Sequence, residues 1–270
     1  MLQVLLLLAS GADADRVSAC IDEVTVRATP SVKAPRISVV RRAEALPLLE
    51  TSAELDELTL TIDRNVPAPL TATLRDVWLK VALPADAGAP TGWVFGGVMC
   101  RPTWPQGERW LTVIGWSGDG AKVAFIERAT DSFACGWGRP ATFRLFDLAK
   151  GRELEALHDG CPAADLMLSR RAELETLLGK HAVTPHWRLE ATTRTLEATW
   201  SKGTLRLTEG KTLRASRPEK LDPAGLDAPS GFPTAQVLLV ARLGDADVAF
   251  VRLQLSEDHH RLTAVRLTAP

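Results

Sequence analysis

The chain has no tyrosine, only three methionines and four cysteines, and aromatic residues fill just 6% of its 270 positions. It also carries almost no net charge: 32 Lys and Arg against 33 Asp and Glu leave −1 at pH 7. Near-neutrality argues against nucleic acid as the main partner, because phosphate binding needs clustered excess positive charge. No C-x-x-C pair or Cys/His cluster has zinc-ligand spacing, so no metal is expected, and nothing in the sequence implies a cofactor. Beyond the N-terminus no run approaches the roughly 18 apolar residues of a bilayer span, so the mature chain is not expected to insert in a membrane. What is present suits a globular protein: 46% hydrophobic and 24% charged residues. The length accommodates two ordinary domains, and eight tryptophans supply large faces for packing or recognition.

Residues 2–9 are apolar apart from Gln3, too short a run for a stable membrane anchor. Ala12 and Ala14 then fit the small-residue pattern of signal cleavage. Residues 1–14 therefore read as a signal peptide with a mature start at Asp15, although no basic residue precedes the apolar run. Export predicts a periplasmic or secreted protein. Four cysteines, Cys20, Cys100, Cys135 and Cys161, suit an oxidising compartment; four thiols allow three pairings, and spacing does not choose among them.

Strand signals dominate. Val24, Val26 and residues 37–40 are β-rich, Pro30 and Pro35 mark the loop between them, and residues 46–49 continue the sheet. Residues 55–63 alternate apolar and polar as a half-buried strand does, and 70–74 return as a hairpin partner. Residues 101–107, with two prolines and a glycine, read as a linker. In residues 108–270, the segments 110–116 and 121–128 flank a Ser117-Gly118-Asp119-Gly120 turn, and 143–148 form a third strand. A helix is predicted over 162–179, with Pro162 in its first turn, Leu166, Met167, Leu174, Leu177 and Leu178 at helical spacing, and Gly179 as C-terminal cap. Short strands follow at 186–192, 195–201, 204–208, 211–215, 236–243, 247–254 and 261–268.

The strand Val24-Thr25-Val26-Arg27 leading to Pro30, the strand Trp78-Leu79-Lys80-Val81 and the segment Gly92-Trp93-Val94-Phe95-Gly96 together resemble the bacterial SH3-like family. That resemblance covers residues 19–100. It implies a small, strongly bent β-barrel, found mostly outside the cytoplasm, that binds cell-wall peptide or an envelope protein. Barrel termini of this kind lie close together, which implies a Cys20–Cys100 disulfide and leaves Cys135 to pair with Cys161. Residues 55–76 depart from the family pattern as an insertion, and 84–90 form an unusual Ala/Gly/Pro-rich loop. The fold expected is thus mainly β: an N-terminal SH3-like β-barrel followed by an α+β domain of antiparallel strands with one helix. Residues 110–153, with Trp116-Ser117-Gly118-Asp119-Gly120, also resemble a single hairpin-built blade of TolB-type β-propellers. A closed propeller needs at least four such blades, for which the remaining length does not suffice.

For recognition, Trp93, Phe95 and Trp78 are the candidates. Alternation puts Trp93 and Phe95 on one face and Val94 on the other, so a core-facing Val94 would leave an external aromatic strip, which Trp104 and Trp110 could extend. The competing expectation is that these rings pack the interior. No catalytic residue is assigned, and a non-enzymatic module is expected. One alternative is an envelope hydrolase using Cys135, in the segment Cys135-Gly136-Trp137, or a His/Asp pair in 108–270. A nucleophilic cysteine needs a histidine to hold the thiolate, and no motif assigns that role to His158, His181 or His186. A purely structural envelope protein is another alternative. His259-His260 reads as a polar turn, and Asp119 as a turn residue; neither it nor Asp131 has calcium-loop spacing.

Overall fold

The computed structural model describes residues 16–42, 44–62, 70–101, 104–106, 109–129, 140–159, 170–218, 234–254 and 260–268. The expected signal peptide, Cys135, Cys161, Asp131, His259 and the start of the expected helix lie outside these residues. The fold is mainly β, with one α-helix among the described residues and curled antiparallel sheets that include a half-barrel. Two compact units divide the chain, Met1–Pro102 and Thr103–Pro270.

The first unit contains β1 (Arg16–Ala19), β2 (Glu23–Arg27), β3 (Arg36–Arg41), β4 (Ala45–Ile62), β5 (Leu70–Ala82), β6 (Thr91–Phe95) and β7 (Met99–Cys100). They form one sheet in the order β3-β2-β6-β5-β4-β1-β7. Connectivity forces this sheet to curl. Five strands side by side separate β3 from β4 by roughly 19 Å, yet the chain passes from Arg41 to Ala45 in four Cα steps, which reach at most about 15 Å. Curling encloses Val17, Val24, Val26, Leu46, Leu48, Leu79, Val81 and Val94, all at most 4% exposed. A disulfide joins Cys20 to Cys100 across 80 residues, with a Cα separation of 5.2 Å. It fastens the end of β1 to β7 beside their Ser18–Cys100 pairing.

The segment expected as an insertion is the outer half of a single long hairpin. β4 runs unbroken, and its pairs with β5 extend from Leu48↔Val81 to Ile62↔Leu70, with bulges at Leu48/Glu50 and Thr51/Leu55. At the second bulge the ladder is interrupted, and the Ser52 hydroxyl accepts the Trp78 amide instead, at 2.9 Å.

The second unit contains β8 (Trp104–Gln106), β9 (Arg109–Ser117), β10 (Lys122–Ala129), β11 (Ala141–Asp147), β12 (Arg152–Asp159), α1 (Arg171–Lys180), β13 (Val183–Pro185), β14 (Glu190–Ala191), β15 (Glu197–Ser201), β16 (Thr204–Glu209), β17 (Thr212–Pro218), β18 (Thr234–Leu243), β19 (Ala246–Gln254) and β20 (His260–Arg266). Three sheets result: β12-β11-β10-β9-β13 with β8 against β9, then β14-β18-β19-β20, then β15-β16-β17. Part of the expected linker is therefore the strand β8. Leu174 and Leu178 of α1 pack with Ile114, Ala124, Ile126, Phe143 and Leu145 on one face of the first sheet. Its other face, through Leu111, Val113, Val123 and Phe125, meets Ala241, Leu243, Val248 and Phe250 of the second sheet. The second sheet's far side, through Val240, Ala249 and Val251, meets Leu205 and Leu207 of the third. The order is helix, sheet, sheet, sheet. β19 is apolar on both faces because its sheet is an inner layer, with Val248 and Phe250 on one side and Ala249, Val251 and Leu253 on the other.

One expectation needs correction here. Helix α1 runs through Gly179 to Lys180, and the left-handed residue beyond it is Ala182, with φ 53°, rather than a glycine cap. Residues 152–159, whose Glu and Leu content favours a helix, form the strand β12 because its backbone completes the sheet against β11. Tertiary pairing overrides the local preference.

Candidate functional site

The three candidate aromatics do not form one exposed strip. Register pairs Trp78 with Phe95 and Lys80 with Trp93 across β5 and β6; since alternate strand residues share a face, all four project to the same side. At one end that side is closed. Trp78 and Phe95 are each only 2% exposed, and their rings meet edge to face at 5.5 Å and 69°. The Trp78 indole N–H donates to Asp56 Oδ2 at 2.9 Å, which with the Glu57 amide holds the Asp56 carboxyl below its ordinary range. A buried indole needs such a partner. Gly97 lies against the Phe95 ring and Leu74, where a Cβ would fall 2.6 Å from Phe95 Cε1. Trp78 and Phe95 are core residues.

At the other end the side is open. Val94 is fully buried, whereas Trp93 is half-buried. Lys80 Nζ stands 5.7 Å from the centre of the Trp93 ring and 3.3 Å from Glu50 Oε2. On the opposite flank Arg27 is the strand partner of Trp93, and its guanidinium donates to the Ala34 carbonyl at 2.5 Å. Trp93 is thus an accessible aromatic between two cations. Residue types alone pointed to Trp93; its neighbours depend on a register across β2, β6 and β5 that no local motif reveals. Lys80 does alternate with Trp78 in the sequence, the only local hint that it shares this side. The suggested extension through the Trp104 and Trp110 side chains lies outside the described residues.

Several described titratable groups of the second unit hold its elements together. Asp119 accepts from the Ser117 hydroxyl at 2.5 Å and the Ala121 amide at 3.0 Å, which lowers its pKa and shapes the β9–β10 turn. Gly120, with φ 63°, completes that turn. His158 Nδ1 lies 2.9 Å from the Thr142 hydroxyl. His181 Nε2 lies 3.0 Å from Glu155, which also takes Lys180 at 2.5 Å, so that β12 grips the end of α1. The His186 ring stacks on Trp116 at 3.8 Å. Arg194 joins Glu209 at 2.9 Å and Asp247 at 2.8 Å; Arg214 and Arg242 extend the network at its two ends. Among the described residues no three His, Cys, Asp or Glu converge as metal ligands.

No protein-family model, curated protein or solved structure matches the chain.

Proposed function

We propose that this is an exported, non-enzymatic binding protein of the bacterial cell envelope, and that residues 19–100 are an SH3-like module recognising cell-wall peptide or a protein partner. The single observation that carries the reading is the accessible Trp93, flanked by Lys80 and Arg27, on a curled sheet fastened by a disulfide. An aromatic face beside fixed cations gives contact area at low entropic cost and accepts peptide groups. Three further features support it. The β3-to-β4 passage bends the sheet as a barrel requires, the Cys20–Cys100 bridge suits an oxidising compartment, and the matching sequence segments occupy β2, β5 and β6.

A pull-down on purified peptidoglycan with the wild type and Trp93→Ala tests the proposal. Retention of the wild type and loss of the variant is the expected result. Wall binding is wrong if neither protein is retained, and equal retention assigns the binding to another surface. Titration of free thiols in the same preparation addresses the hydrolase alternative, since complete oxidation removes Cys135 as a nucleophile.

A further inference from the structure

Beyond Trp93, the strand registers bring a line of charged side chains onto the same side of the first unit. Arg36 pairs with Arg27 across β3 and β2, Arg27 with Trp93, Trp93 with Lys80, and Lys80 with Glu50 across β5 and β4. Directly opposed strand residues share a face. The line therefore crosses five adjacent strands as Arg36, Arg27, Trp93, Lys80, Glu50. It holds three cations and one carboxylate, against a chain whose net charge is −1. Lys80 is 35% exposed at its side chain, and Arg36 and Glu50 are exposed.

The geometry points to an acidic peptide as the occupant: a cell-wall stem peptide whose carboxylates pair with Lys80 and the arginines while a neighbouring group rests on Trp93. This rests on the envelope-binding reading and narrows its ligand. Charge complementarity is the reason. Glu50 offsets only one of the three positive charges, and Arg27, although it donates to the Ala34 carbonyl, retains further N–H donors in its guanidinium fork. Spacing adds a second constraint. Adjacent strands lie about 4.8 Å apart, so Arg27 and Lys80 flank the ring at roughly 10 Å from each other. An extended peptide covers that distance in about three residues at ~3.4 Å each. Two carboxylates three residues apart, with a contact to the indole between them, fit the line. An uncharged ligand would leave the excess positive charge of this line unmatched.

The experiment compares retention on three solids: intact peptidoglycan, peptidoglycan whose peptide carboxylates have been converted to neutral amides, and glycan strands stripped of peptide. The proteins are the wild type, Trp93→Ala and the double variant Arg36→Gln/Lys80→Gln, with folding of each checked by its thermal transition. Wild type should bind the intact wall and weaken roughly tenfold on the amidated wall and on bare glycan, as expected if two or three exposed charge pairs of modest strength are lost together. The double variant should lose a similar factor on the intact wall and be insensitive to amidation. Equal wild-type retention on intact and amidated walls, with Trp93→Ala still impaired, overturns the acidic-peptide inference and leaves the envelope reading standing. Full retention on bare glycan overturns it too, since the occupant would then be saccharide. Failure of the wild type on every solid removes both.

Discussion

The Lys80 ammonium lies over the indole of Trp93, 5.7 Å from its centre, while two residues earlier on the same strand Trp78 is sealed beneath Phe95. One side of one sheet thus changes from core to surface within a single pleat repeat. The change follows from what covers it: Gly96–Val98 forms a 3-10 turn with all three residues buried, with Gly97 next to Leu74 and Phe95, while Lys80 and Trp93 stay half-buried.

The two tryptophans should therefore respond differently to truncation. Trp78→Ala removes a buried ring and the donor to Asp56, and should lower stability by about 3–5 kcal/mol. Trp93→Ala forfeits an exposed cation–π contact of about 0.5–1 kcal/mol. Urea-unfolding midpoints of the two variants check this; equal midpoints would contradict the assignment of Trp78 to the core.

Cys20→Ser/Cys100→Ser should destabilise the first unit by about 2–4 kcal/mol, because the bridge restricts the unfolded chain. Hydrogen exchange read separately over β1–β7 and over β9–β20 is the measurement. Faster exchange confined to the first unit is the expected pattern, and uniform exchange across both would count against it.

Gly115 sits on β9 opposite Pro185 of the neighbouring β13, and a Cβ there would fall 2.0 Å from the Thr184 carbonyl oxygen. The obstacle is backbone, which cannot rotate aside. Gly115→Ala should cost about 2 kcal/mol or more, in the range of overpacked core sites. Gly118→Ala, with nothing within 4 Å of its Cβ position, should leave the thermal midpoint nearly unchanged. A similar loss in both would show that Gly115 is not constrained by β13.

Asp247 accepts from Arg242 and Arg194, and Glu209 from Arg194 and Arg214; these bonds hold both carboxyls below their ordinary range. A depressed folded pKa means that the stabilisation is complete above the unfolded carboxylate value and is lost as pH falls through the folded one. Stability should decline below about pH 4. Asp247→Asn should cost about 1–3 kcal/mol at neutral pH and make the acid decline shallower. Denaturant midpoints between pH 2 and 7 provide the test.

Gly179 lies inside α1 with open space at its Cβ position. Gly179→Ala should raise stability by about 0.5–1 kcal/mol, the helix-propensity difference. A drop in the thermal midpoint would instead assign Gly179 the role of a cap.

Much of the architecture was legible in local pattern. Strand-forming runs bounded by turn residues marked β9, β10, β16, β18 and β19 to within a few residues, because apolar runs and glycine turns are local properties of the chain. The SH3-like resemblance implied a Cys20–Cys100 bridge, and that disulfide is present. Cross-strand partners are what local pattern does not supply. β12 carries a helix-favouring sequence and is a strand because β11 supplies its hydrogen bonds. The hairpin expected from 55–63 and 70–74 is present as the far halves of β4 and β5, and bulges let their ladder continue into the sheet.

The candidate face divides in the same way. The sequence by itself determined that Trp93 and Phe95 project to one side of a strand, since alternation is a property of the extended backbone. It could not determine whether that side meets solvent. Only the tertiary structure decided that Phe95 is covered and Trp93 only half so, and that Arg27, Lys80 and Glu50 from three other strands stand in line with it. Exposure and cross-strand register depend on residues distant in the chain, and no local period encodes them.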